Sequence, residues 1–222
     1  MGYAQRKLEG YTVADYMGWT DDTFRCELID GVVYDMSAAS VIEHQRQLAS
    51  LHFEVERQVR EARKYGGGGS GKCVVMESPV DVVLGFDTVV QPDLVVVCDP
   101  AKLANGKNVQ GAPDFIAEFL SPSTAAKDKR EKLALYERSG VPEYLVVDPL
   151  EQYAEYHAMQ ADGRYAPVQV MASEEILRLR CIPKLERPLH EIFGWPVPEE
   201  PCKLTKAGGN SATMPNLENS TK

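Results

Sequence analysis

The sequence predicts an α/β fold: one domain built on a mixed β-sheet flanked by helices. Three observations predict it. Leu94–Cys98 and Glu143–Val147 are short, nearly continuous apolar runs, as expected of strands buried on both faces. A helix-forming stretch from about Ser123 to Ser139 separates two strand-like runs, and such a helix marks a crossover to a parallel neighbour. A long amphipathic stretch, about Ala38 to Tyr65, supplies a helix to cover the sheet.

The elements follow in order. Thr12 caps a short helix whose Val13, Tyr16 and Met17 share a face. CELIDGVVYDMS reads as a hairpin turning at Asp30–Gly31. The long helix takes its apolar residues from Ile42, Leu48, Leu51, Phe53, Val55 and Val59, and stops at GGGGSGK. Three strands come next: Cys73–Leu84 with a break at Pro79, Thr88–Cys98, and Asp114–Leu120. Ser123 or Thr124 caps the second helix and Gly140 ends it. Tyr153–His157 and Tyr165–Met171 form a hairpin around Asp162–Gly163. The domain spans residues 1–198. The Gly-, Ser-, Asn- and Pro-rich stretch 199–222 reads as a disordered tail.

Composition narrows the function. The 222 residues are 44% hydrophobic and 26% charged, ordinary globular usage that excludes collagen-like and disulfide-scaffold chains. No apolar run approaches the roughly 18 residues of a membrane span, and MGYAQRKLEGY lacks a signal-peptide core, so a cytoplasmic protein is expected. The formal net charge of -9 opposes broad electrostatic binding to nucleic acid but leaves room for a local basic groove. The cysteines, Cys26, Cys73, Cys98, Cys181 and Cys202, form no CxxC pair, which argues against a zinc site or a redox pair; Cys98, ending an apolar strand, reads as a core thiol. Gly66–Lys72 nearly fits a phosphate loop. Cys73 stands where Ser or Thr is needed, however, and the glycines follow a helix and precede a strand, the reverse of a working loop.

The chemistry lies in the acids. Asp93 opens a buried strand, and Glu118 sits inside FIAEFL, where alternation puts it on the face of Ile116 and Leu120. A buried unpaired carboxylate costs several kcal/mol. Two on neighbouring strands call for a cation, and magnesium, with manganese as a substitute, is the simplest choice. Glu143 looks similar but reads as structural. Asp128, Lys132 and Tyr136, at i, i+4 and i+8, line one helix face, and Lys132 is expected to point back at Glu118; Lys127 and Lys129 compete for that role. Glu27 is a candidate third ligand, and His44 a candidate base or phosphate contact. Asp128 and Tyr136 are further candidates for substrate contact.

The runs QPDLVVVCDP, GAPDFIAEFLSPST and KDKREKLALYERSGVPEYLVVDP, in that order, resemble the Uma-type putative restriction endonuclease family of the PD-(D/E)XK nuclease superfamily. The likeness extends from about Glu27 to Asp148. It implies a restriction-endonuclease-like fold, a four-stranded mixed sheet flanked by helices. It also implies magnesium-dependent hydrolysis of DNA phosphodiesters. Pro92–Asp93 looks like the first half-motif, Glu118 like the acid of the second, and Glu27 like the N-terminal acid of related nucleases. The superfamily places a lysine two residues after the second acid. Leu120 stands there, and Lys132, from the following helix, is the candidate replacement. The resulting expectation is catalysis by Asp93, Glu118 and Lys132, with the ion on Asp93, Glu118 and Glu27. A homodimer would suit symmetric cutting. The alternative is a catalytically inactive nuclease-fold protein acting as a binding module.

Overall fold

The structure is a computed structural model that describes residues 10–19, 25–36, 42–66, 68–121 and 128–198. Helix α1 (Val13–Met17) begins at Thr12, whose hydroxyl accepts from the Asp15 amide while the Asp15 carboxylate accepts from Thr12, a reciprocal capping box. Strands β1 (Cys26–Ile29) and β2 (Val32–Asp35) form the expected hairpin. Its turn residues Asp30 and Gly31 have φ of 51° and 74°, the left-handed pair that a tight hairpin turn requires. Helix α2 (Ile42–Lys64) buries Leu48, Leu51, Val55, Val59 and Ala62, one helical stripe. Ile42 and Phe53, expected on that stripe, are instead exposed, because helical spacing puts both on the opposite face of α2. A 3₁₀ turn, Gly68–Lys72, then joins α2 to the next strand, so GGGGSGK is a connection. A side chain at Gly71 would meet the Arg63 backbone at 3.1 Å, which explains the small residue there.

Two of the three expected strands divide further, and the third, Asp114–Leu120, is a single strand. Cys73–Leu84 splits into β3 (Val74–Glu77) and β4 (Val82–Val83), with a cis Ser78–Pro79 bond between them. Thr88–Cys98 is not one strand either. It gives β5 (Val89–Val90) and β6 (Leu94–Val97), which belong to different sheets. Pro92, which has no amide hydrogen to offer a ladder, sits at the switch. Strands β7 (Val109–Gln110) and β8 (Phe115–Phe119) follow. The second helix is described from Asp128, as a π-helical turn to Lys132 that leads into α3 (Leu133–Arg138). Its proposed caps Ser123 and Thr124 lie outside the described residues, as do Lys127, the start proposed for the long helix at Ala38, and the tail 199–222. Then come β9 (Glu143–Asp148), β10 (Tyr153–Ala158), β11 (Gln169–Met171), β12 (Ile176–Arg178), β13 (Glu186–Pro188) and α4 (Leu189–Phe193); the last three were not anticipated.

The main sheet has six strands rather than four, in the order β11-β10-β9-β8-β6-β3. Its neighbours are antiparallel except β8 and β9, the parallel pair joined across α3 as the crossover rule requires. A second sheet, β2-β1-β5-β4-β7, stands beside it. One apolar core joins Leu48, Leu51 and Val55 of α2 and Phe193 of α4 to Leu94, Val96, Phe115, Ala117 and Phe119. On the other face, Val95, Ile116, Leu120 and Tyr144 pack with Leu135 and Tyr136 of α3 and with Val82 and Val90 of the second sheet. Each fully buried aliphatic side chain contributes roughly 1.5–3 kcal/mol. Cys98 is not a free core thiol: it forms a disulfide with Cys73 across a sequence separation of 25. The antiparallel register Val74↔Val97 brings the two opposite each other, a pairing that sequence spacing does not reveal. No helix among the described residues is long and apolar enough to cross a membrane.

Candidate active site

The switch at Gln91–Pro92–Asp93 carries the chain from one sheet to the other, and the candidate residues gather at that seam. Strands β6 and β8 pair antiparallel with Leu94 opposite Ala117, so the next step of the ladder sets Asp93 beside Glu118. Both stand at one end of the six-stranded sheet. Glu27 comes from β1 of the other sheet and is 2% exposed. It is tied to the switch: the Gln91 backbone N–H donates to Glu27 Oε1 at 3.1 Å.

Lys132 reaches into this seam from the helical turn. Its Nζ lies 2.7 Å from Glu118 Oε1 and 3.0 Å from Glu27 Oε1, joining acids of both sheets. Lys132 and Glu118 are each 4% exposed, and a lysine is almost never so buried without acceptors. Leu120, two residues after Glu118, is packed in the core. The cation therefore arrives from the helix and not from the strand. One turn on, Tyr136 Oη donates to the same Glu118 oxygen at 2.8 Å. Burial, reinforced by the Glu118 charge, raises the Tyr136 pKa well above its ordinary 10.0, so the phenol stays a donor. Its ring meets Tyr144 edge-on at 4.8 Å, which fixes the hydroxyl.

Asp93 is held differently. The Phe119 N–H donates to its Oδ2 at 2.8 Å, and its side chain keeps 21% exposure at the mouth of the seam. Behind it lies His44, in the first turn of α2, with Nε2 3.3 Å from Asp93 Oδ1. That contact has ion-pair distance but not hydrogen-bond geometry, and both ring nitrogens of His44 lack a hydrogen bond. At 4% exposure, His44 backs the Asp93 carboxylate and does not face solvent. Asp128 lies on the turn leading to Lys132. The seam thus gathers Glu27, Asp93, Glu118, Lys132, Tyr136 and His44. Among the described residues no three carboxylate, imidazole or thiol groups stand close enough to form a ready metal cage. Sequence reading missed the Gln91 amide that holds Glu27; the only signal for it was its place before Pro92.

A mixed sheet flanked by helices is the architecture of restriction-endonuclease-like folds. The chain belongs to the Uma2 family, described as putative restriction endonuclease, whose pattern matches residues 13–190. Among solved structures it is similar to a putative nuclease belonging to DUF820 from Anabaena variabilis. The TM-score is 0.67 at 15% identity, with 84% of this chain and 99% of that chain covered, a likeness of fold. No curated protein matches.

Proposed function

We propose that this protein is a metal-dependent endonuclease that hydrolyses DNA phosphodiester bonds through a PD-(D/E)XK-type site. The observation that carries the reading is the buried Lys132 ammonium at 2.7 Å from Glu118 and 3.0 Å from Glu27. Glu27, Asp93 and Glu118 would hold the ion only by drawing together around it, since they form no ready cage among the described residues; all their donors are carboxylate oxygens, the set that magnesium or manganese takes. When bound, such an ion supplies polarisation of a phosphoryl oxygen and a hydroxide-like nucleophile near neutral pH.

The chain's own residues do the rest. Lys132 offsets negative charge that builds on the attacked phosphate, in a pocket too buried for water to screen it. Tyr136 and the Phe119 N–H hold the Glu118 and Asp93 carboxylates in place. His44 supports Asp93 from behind. Membership of a family described as putative restriction endonuclease supports DNA as substrate; cytoplasmic action, and a homodimer where both strands are cut, belong to the same proposal. The test is nicking of supercoiled plasmid with magnesium. Asp93→Ala and Glu118→Ala are expected to abolish it, and equal nicking by all three proteins would defeat the assignment. Calorimetry showing no heat at millimolar magnesium or manganese would favour the alternative, an inactive binding module.

A further inference from the structure

Arg25 lies one residue before β1 and two before Glu27. Its backbone is fixed, because the Met36 N–H donates to its carbonyl at 2.9 Å and extends the β1–β2 ladder. Its side chain is exposed yet held. Nε and Nη2 donate to Gln91 Oε1 at 3.3 and 2.9 Å, and Nη2 donates to Ser78 Oγ at 2.8 Å. Both acceptors are uncharged. Arg46, Arg57, Arg138 and Arg178 each face a carboxylate. Among the described residues, none lies within ion-pair distance of Arg25.

The two anchors are themselves bound to the candidate site. Gln91 donates its backbone N–H to Glu27, and its side-chain amide donates to Asp81 Oδ1 at 2.9 Å and Tyr16 Oη at 3.2 Å. The amide is thereby oriented with its oxygen toward Arg25. Ser78 donates its backbone N–H to the Asp93 carbonyl at 3.0 Å. A fixed positive charge thus stands on the rim, one residue removed from two of the three acids. Nη1 makes no hydrogen bond among the described residues, so donors of the guanidinium fork remain for an incoming acceptor. Planar guanidinium suits phosphate oxygens, and in a chain of net charge -9 such a group would offset repulsion between a polyanion and the acids.

We propose that Arg25 binds a phosphate of the DNA backbone beside the phosphate that is cut, aimed by Gln91 and Ser78. The inference rests on the nuclease reading and adds to it a contact that is blind to base sequence. The experiment measures anisotropy of a short labelled DNA duplex with the full-length protein, metal chelated, over a range of salt. Arg25→Ala is expected to weaken binding about 5–10-fold and to flatten the salt dependence by about one counterion. Arg25→Gln keeps an amide donor for both anchors but no charge, and should behave like Arg25→Ala; Arg25→Lys should recover the salt dependence. With metal present, Arg25→Ala should raise KM by a similar factor while kcat changes less than about threefold.

If Arg25→Gln binds like wild type, the role is structural and the proposal falls. If the wild type nicks DNA and Arg25→Ala binds with unchanged affinity and salt dependence, the proposal falls and the nuclease reading stands. If the wild type binds with the Arg25-dependent salt response but does not nick, the Arg25–phosphate contact stands, while its place beside a cut phosphate falls together with the nuclease reading. A wild type that neither binds nor nicks overturns both.

Discussion

Glu118 and Glu143 sit on adjacent parallel strands, β8 and β9, and both are buried, at 4% and 1% exposure. Along the sequence they are near twins, each an acid in an apolar run. Their surroundings differ in kind. The Glu143 carboxylate accepts the Arg180 N–H at 2.8 Å, the Cys181 N–H at 3.1 Å and the Tyr156 hydroxyl. It is satisfied by neutral donors, two of them main chain, and pins the segment between β12 and β13 to the sheet. Glu118 instead meets an ammonium and a phenol carried by one helical segment, next to an acid from another sheet. An acid closed by backbone amides holds a fold together. An acid answered by a side-chain cation stores charge that a substrate or an ion can draw on.

The sharpest way to break this contrast is activity. Glu118→Gln should lower plasmid nicking by on the order of a thousandfold, while Glu143→Gln should stay within about threefold of wild type. Comparable losses in both would erase the distinction. Next in size is Lys132→Met, which strips a buried ammonium from Glu27 and Glu118. Breaking one side of such a buried pair costs about 3–5 kcal/mol, or roughly 6–20 °C in thermal midpoint. Adding Glu118→Gln to Lys132→Met should recover part of that loss, as scanning calorimetry would show. Glu143→Ala leaves buried amides without acceptors and should cost about 2 kcal/mol, read from urea midpoints.

The smallest effect concerns His157, on β10 beside Tyr144. Burial holds its pKa below the ordinary 6.5, against the opposing pull of Glu155 and Glu137. Below pH 6.5 the unfolded chain accepts a proton that the folded chain resists. Its contribution is therefore intact above that pH and is lost as the pH falls toward the folded value. His157→Phe should lessen the drop in urea midpoint between about pH 7.5 and about pH 5.5; an undiminished drop would assign it to other groups.

Much of this was legible from the residues alone. Thr12 at a cap, Asp30–Gly31 at a turn, the apolar runs of β6, β8 and β9, and the crossover between the last two are local signals. Backbone preference and side-chain period express them within a few residues. The meeting of Lys132 with Glu118 was also legible, because helical spacing limits where a helix side chain can point. The family, too, could be read from ordered fragments along the chain.

Other features required the three-dimensional arrangement. That Thr88–Cys98 changes sheet at Pro92, that Cys73 faces Cys98, and that Glu27 shares a lysine with Glu118 all depend on strand register between distant segments. Period-two alternation assigns a residue to a face but not to a partner. Whether a buried acid finds backbone amides, as Glu143 does, or an ammonium, as Glu118 does, is a property of the neighbour that packing brings. Burial makes each acid demand a counterpart, and long-range packing alone selects which one it receives.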